Sequence, residues 1–213
     1  MKLKRILLDP LVYILLIINI GLGYAYFKKI VTSETLLFTY FFQSVVMGIS
    51  YYIQMLMLSD YSVKDVTFNN KPLEKSRKTK GCFSTFFLFH YGFFHFVYLI
   101  FLRVFIGFRG RVDMHFIYYA ILSFAVGEAF NIIKQQYKRE KEVPNIGTLM
   151  FTPYLRILPM HFFILIGGFV GHQNSIVFMV FIILKTMSDI AMHIVVNKTY
   201  KETSNNSPII HQQ

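Results

Sequence analysis

Ionisable side chains interrupt several long apolar runs of this 213-residue sequence, and they are the residues best suited to chemistry. They are His90, His95, Glu128, Arg156, His161, Lys185, Asp189 and His193. An ionisable group inside a membrane span is costly unless it is paired, hydrated or bound to a ligand. We therefore treat these residues as the candidate functional site.

The spacing of these residues predicts a common centre. Lys185, Asp189 and His193 are separated by four residues each, so they form one stripe of a helix. At a rise of about 1.5 Å per residue, the histidines and carboxylates of separate helices fall at a similar depth in the membrane. Imidazole and carboxylate groups without a nearby thiolate are ligands that zinc, iron or manganese use. The pattern therefore indicates a metal or catalytic site.

Mononuclear zinc fits this set better than a di-iron centre, because few carboxylates are available. The predicted zinc ligands are His90, His161, His193 and Asp189. The predicted catalytic residues are Glu128 and Asp189. In this hypothesis Glu128 is the general base on a zinc-bound water, and Asp189 binds the metal or orients a histidine.

Substrate binding completes the zinc hypothesis. The predicted substrate-binding residues are Arg156, Tyr154, Lys185 and His95. Arg156 would hold an anionic head group through its guanidinium. A lipid or lipid-like ester or amide is the substrate expected at this depth, since it diffuses laterally to the site. The sequence thus predicts a zinc-dependent intramembrane hydrolase, while leaving open whether the protein is an enzyme.

His90 and His95 cannot both bind one ion from a regular helix. Five residues place them about 140° apart around the helix axis. One of them should line the site while the other binds elsewhere, and depth in the span favours His90 as the inner residue.

Three alternatives use the same residues differently. The polar side chains could hydrogen-bond across helices and stabilise the bundle, at about 0.6 kcal/mol for each contact, or they could contact a partner. Two histidines from different helices could bind haem b axially. A relay through Lys185, Asp189 and His193 could carry protons or a substrate. In each case the protein would be non-catalytic.

The composition places these residues in a membrane. The chain is 54% hydrophobic and 15% charged, whereas soluble domains carry about 25% charged residues. The net charge of +11 does not predict nucleic-acid binding, because the basic residues lie in short connectors between apolar runs. Cys82 is the single cysteine, which excludes an intramolecular disulfide.

About six apolar runs approach the 20-residue length that crosses a bilayer. The predicted spans are 10–27, 35–58, 82–106, 115–133, 155–171 and 175–197. We therefore predict an all-α, polytopic transmembrane bundle that forms one domain over 1–200, with a flexible tail at 201–213. The segment Val143–Pro153 contains two prolines and a glycine, which predicts an irregular loop.

Lys and Arg residues set the predicted orientation. Most of the 22 lie at the N-terminus, in the connectors 59–81 and 134–154, and in the tail. The positive-inside rule then places both termini in the cytoplasm. Membrane lipid is the expected partner, and the sequence leaves any protein partner and the oligomeric state open.

Three sequence elements resemble a family of polytopic bacterial membrane proteins that is known as a domain of unknown function. The elements are His90-Tyr91-Gly92-x-x-His95, Pro153-Tyr154-x-Arg156-Ile157-x-x-x-His161 and Lys185-Thr186-x-x-Asp189-x-x-x-His193. The family pattern has an acid where this chain has Gln43, and Ser-His where it has Ser123-Phe124. The resemblance implies a membrane bundle in the bacterial inner membrane and supplies no activity.

Overall fold

The structure is a computed structural model of the chain. It describes residues 10–64, 66–68, 71–72, 74–106, 112–139, 143–170 and 175–204. Within the last range, the side chain of His193 is outside the description, as are residues 205–213 of the predicted tail.

Helices account for most of the described chain. They are α1 Pro10–Phe27, α2 Ser33–Leu56, α3 Arg77–Phe101, α4 Met114–Arg139, α5 Ile146–Phe151, α6 Tyr154–Val170 and α7 Ser175–Ser204. A π-helical segment, Leu102–Ile106, continues α3. Two short antiparallel strands, β1 Thr67–Phe68 and β2 Lys71–Pro72, pair in the connector between α2 and α3.

Five helical segments of the described chain are long and apolar enough to cross a membrane. They are Ser33–Leu56, Arg77–Val104, Met114–Tyr137, Ile146–Ile166 and Ser175–Met192. A shorter apolar segment, Leu16–Phe27, lies in α1. The prediction of an all-α membrane bundle is thus confirmed, while the orientation of its termini stays a prediction.

The predicted loop at Val143–Pro153 is wrong over Ile146–Phe151, which forms α5. Asn145 starts this helix, because its side chain accepts a hydrogen bond from the backbone N–H of Thr148 at 3.2 Å. The start of α5 is also held by Ser62, whose backbone carbonyl accepts a hydrogen bond from the N–H of Ile146 at 3.1 Å. The sequence Asn-Ile-Gly-Thr carried this capping signal, which the flanking prolines obscured.

Helix α2 is the centre of the bundle. It packs most extensively against α4 and α3, and it also contacts α5 and α6. Helix α6 packs along α7, and α7 in turn packs against α1. By contrast, α1 and α4 do not pack closely against each other over the described residues. This arrangement leaves a space that α1, α2, α4, α6 and α7 surround.

A glycine allows the close approach of α2 and α3. A Cβ at Gly48 would clash with the ring of Tyr91, which is itself buried. We expect Gly48→Ala to lower the free energy of unfolding by about 1–3 kcal/mol, as overpacking does. Circular dichroism during an SDS titration of mixed micelles measures this change.

The matched control is Gly92→Ala on α3. A Cβ there meets nothing within 4 Å, and alanine favours a helix over glycine by about 0.5–1 kcal/mol. Equal effects of the two substitutions would contradict the close approach.

Candidate functional site

A cavity of about 520 Å³ lies between α1, α2, α4, α6 and α7. Arg156, Lys185 and Asp189 line this cavity. Ion pairs connect these three ionisable residues into one group. Glu128 lines the same cavity from α4. Four of the predicted site residues, Arg156, Lys185, Asp189 and Glu128, therefore line one space.

Arg156 forms the most buried part of the wall, with 4% of its surface exposed. Its Nη2 donates to Oε1 of Gln43 at 2.8 Å, and its Nη1 lies 3.8 Å from Oδ1 of Asp189. The guanidinium carbon lies 4.6 Å from the ring centroid of Tyr40 and 4.8 Å from that of Phe124. Rings at these distances stabilise a cation through their π faces.

Lys185 and Asp189 form an ion pair one helical turn apart on α7. Nζ of Lys185 lies 2.8 Å from Oδ2 of Asp189, and the two side chains are 12% and 10% exposed. The same Nζ donates to Oδ1 of Asn19 at 2.7 Å, which connects α7 to α1. Asp189 thus lies between two cations, Lys185 and Arg156.

The charges of this group do not cancel. Arg156 and Lys185 carry two positive charges, and Asp189 supplies one negative charge. Nε of Arg156 is buried and has no hydrogen-bond partner among the described residues. An unpaired buried donor costs about 1–3 kcal/mol, and more when it belongs to a charged group. We call Arg156, Lys185 and Asp189 the cationic cluster.

Glu128 lies at a different level of the cavity. Ser50 donates to its Oε2 at 2.7 Å, and Gln54 donates to the Ser50 hydroxyl at 3.2 Å. Seven residues of α2 separate Ser50 from Gln43, which binds Arg156, and this corresponds to about 10 Å along the helix axis. The α2 residues that bind Glu128 and Arg156 are therefore about two helical turns apart.

The histidines of the predicted zinc site have other neighbours. Nδ1 of His90 lies 2.7 Å from the hydroxyl of Tyr154, and Nδ1 of His161 lies 3.2 Å from the hydroxyl of Tyr98. Over the described residues, no group of three or more His, Cys, Asp or Glu side chains could hold a metal ion. The described residues therefore do not fit a zinc centre. Since the His193 side chain lies outside the description, the full zinc set stays a prediction, as does haem b.

His95, rather than His90, is the inner histidine of α3, so the preference for His90 is wrong. His95 is 7% exposed, whereas His90 is exposed. The physical reason is the buried stripe of α3, which repeats at helical spacing. Its members are Ser84, Phe87, Tyr91, His95 and Tyr98.

His95 belongs to a buried network between α2 and α3. Its Nδ1 donates to the carbonyl of Tyr91 at 2.9 Å, so its Nε2 accepts from the Ser44 hydroxyl at 3.0 Å. The hydroxyl of Tyr91 donates to the Ser44 carbonyl at 3.0 Å. These bonds satisfy the polar groups of Ser44, Tyr91 and His95 and join the two helices.

Comparison with known proteins identifies the family. A model of a family of unknown function, DUF6498, matches residues 2–206. The chain belongs to DUF6498. Searches of curated proteins and of solved structures found no match. The family resemblance noted from the sequence motifs is thereby confirmed.

Gln43 and Phe124 of this DUF6498 chain have a shared structural role. Gln43 accepts a hydrogen bond from Arg156, and Phe124 lies against the guanidinium of Arg156. Both positions therefore act on the charge of the cationic cluster. A neutral amide at position 43 leaves Arg156 with the carboxylate of Asp189 as its described anionic partner.

Sequence reasoning missed Asn19 and Tyr40, and it gave no role to Gln43, which the family resemblance had singled out. Asn19, Tyr40 and Gln43 each contact a member of the cationic cluster. Asn19 interrupts the apolar run of α1, which is a signal that the sequence did carry. Nothing in the linear pattern distinguishes Tyr40 from the other aromatic residues of α2.

Proposed function

We propose that the protein binds the anionic head group of a membrane amphiphile in the cavity, with Arg156 and Lys185 as its cationic partners. The observation that carries this proposal is the excess positive charge of the cationic cluster, together with the unpartnered Nε of the buried Arg156.

An anion suits this cluster for electrostatic reasons. A buried cation is costly to keep without a counter-ion, and Arg156 and Lys185 share the carboxylate of Asp189. A phosphate or carboxylate would supply the missing negative charge and an acceptor for Nε. The guanidinium matches such groups because its donors lie in one plane at fixed angles.

The loose packing and exposed apolar side chains between α1 and α4, on one side of the cavity, support a ligand that comes from the membrane. These helices do not pack closely against each other over the described residues. Large apolar side chains are exposed on both, among them Ile17 and Ile18 of α1 and Leu122 and Val126 of α4. Such side chains would contact acyl chains while the head group lies in the cavity. The distribution of Lys and Arg supports cytoplasmic termini, and the resemblance to a bacterial family supports the bacterial inner membrane.

The zinc-dependent hydrolase predicted from the sequence would act on the same head group. It requires a metal centre, and His90, His161 and Asp189 have different partners in the structure. Binding needs no such centre, so we base the proposal on the cationic cluster alone.

Substituting Arg156 tests the proposal. We expect the wild-type protein to bind dioctanoyl phosphatidic acid, and Arg156→Gln to weaken this binding at least about tenfold through loss of charged hydrogen bonds. Titrations followed by native mass spectrometry of the detergent-purified protein measure the dissociation constants. Inorganic phosphate, which has no acyl chains, should bind more weakly than the lipid.

Arg77→Gln is the matched control, because Arg77 is exposed at the start of α3. It should bind phosphatidic acid like the wild type. Unchanged binding in Arg156→Gln would overturn the proposal, and equal binding of inorganic phosphate would overturn the membrane origin of the ligand. Arg156→Lys keeps the charge and reports on the site if the Gln variant does not fold.

A further inference from the structure

The carboxylate of Glu128 has a place in the cavity that anion binding does not explain. It lines the cavity from α4 and is partly buried. Ser50 donates to it, yet Glu128 forms no ion pair in the part of the chain that the structure describes. A carboxylate at membrane depth is costly without a cation.

The position of Glu128 relative to the cationic cluster limits what could neutralise it. Gln43 and Ser50 mark the two levels on α2, and they are separated by about 10 Å along the helix axis. No ion pair joins Glu128 to Arg156 among the described residues. The cavity therefore has a positive level and a negative level.

We propose that Glu128 binds a cationic group, so that the ligand of the cavity is a zwitterionic amphiphile of the phosphoethanolamine class. This inference rests on the proposed function, which places the phosphate at Arg156. The two levels are about 10 Å apart. A contact of about 3 Å from the phosphate to Arg156 and another of about 3 Å from the cation to Glu128 would leave about 4 Å between the two charged groups of the ligand. A phosphate joined to a primary ammonium through two carbons is a head group of this size.

A primary ammonium suits Glu128 better than a neutral group. It donates charge-assisted hydrogen bonds to the carboxylate. Asn131, about one turn further along α4, also lines the cavity. Its amide oxygen accepts from Nε2 of Gln135 at 3.5 Å and has a second lone pair to offer. The head group would thus be oriented, with its phosphate at α6 and α7 and its amine at α4.

Dioctanoyl phosphatidylethanolamine and dioctanoyl phosphatidylglycerol test this inference, because both carry a phosphodiester and only the first carries an amine. We expect the wild type to bind the ethanolamine lipid about tenfold more tightly, as one charged hydrogen bond would provide. Glu128→Gln keeps an acceptor for Ser50 and should abolish this preference while binding the glycerol lipid as well as before. Native mass spectrometry titrations provide both dissociation constants.

Glu34→Gln is the matched control, since Glu34 lies at the start of α2 and is bonded by Ser33. It should keep the wild-type preference. Equal wild-type binding of the two lipids, which needs no variant, would overturn the inference, as would a preserved preference in Glu128→Gln. Soluble phosphoethanolamine should bind more weakly than the lipid, and equal binding would overturn the assignment to an amphiphile.

The two proposals fail in different ways. If Arg156→Gln leaves both lipids bound as in the wild type, the anion site itself is wrong. If Arg156→Gln weakens both lipids while Glu128→Gln keeps the ethanolamine preference, anion binding stands and the zwitterionic ligand is wrong.

Discussion

Asp189→Asn is expected to lower the free energy of unfolding by about 3–5 kcal/mol, the usual cost of removing one partner from a buried ion pair. Asp189 contacts Lys185 at 2.8 Å and Arg156 at 3.8 Å. The substitution leaves two buried cations without their shared carboxylate, although asparagine has nearly the same volume. Circular dichroism during an SDS titration measures the loss.

An anionic lipid should restore part of this stability. With Asp189 replaced, a phosphate at the cationic cluster no longer competes with a carboxylate, so dioctanoyl phosphatidic acid should stabilise Asp189→Asn more than the wild type. Asp60→Asn is the control, because the Asp60–Lys75 pair is about half exposed. Exposed pairs contribute about 0–1 kcal/mol. Equal stabilisation of wild type and Asp189→Asn by the lipid would contradict a shared site.

Tyr91→Ala is expected to lower the free energy of unfolding by about 3–5 kcal/mol, as for other large aromatic residues removed from a core. Tyr91 fills the space beside Gly48, and its hydroxyl bonds to Ser44, which also binds His95. The substitution removes the ring and breaks the network that joins α2 to α3. The same SDS titration measures the change.

Two further variants separate the ring from the hydroxyl. Tyr91→Phe keeps the ring and should cost about 1–3 kcal/mol, since it leaves buried acceptors unpaired. Tyr118→Ala removes an exposed tyrosine of α4 and should change stability by about 0.5 kcal/mol or less. A Tyr91→Phe variant as unstable as Tyr91→Ala would show that the hydroxyl alone carries the effect and would contradict the packing argument.

The sequence predicted the helices well because each is decided by local composition. Every predicted span overlaps a helix of the structure, from Pro10–Phe27 to Ser175–Ser204. An apolar run of this length forms a helix whatever its neighbours are, because the bilayer offers no other partner to the backbone. The short helix Ile146–Phe151 was missed, since its six residues contain a glycine and show no clear periodicity.

The site was predicted only in part, because its contacts depend on how helices are placed around α2. Lys185 and Asp189 are one turn apart, so their pairing follows from spacing alone. The contact between Gln43 and Arg156 joins residues 113 positions apart. No periodicity predicts such a pair. His95 could have been identified as the inner histidine from its alignment with Tyr91 in the buried stripe of α3.

The packing of α1 against α7 also bears on how the protein is made. Helix α1 is synthesised early, but it packs against α7, the last described helix, and not closely against α4. It therefore lacks this partner in the bilayer until α7 has been synthesised. The hydrogen bond from Lys185 to Asn19 spans 166 residues and forms at that late stage. Lys185 must therefore be synthesised before the wall of the cavity between α1 and α7 can form.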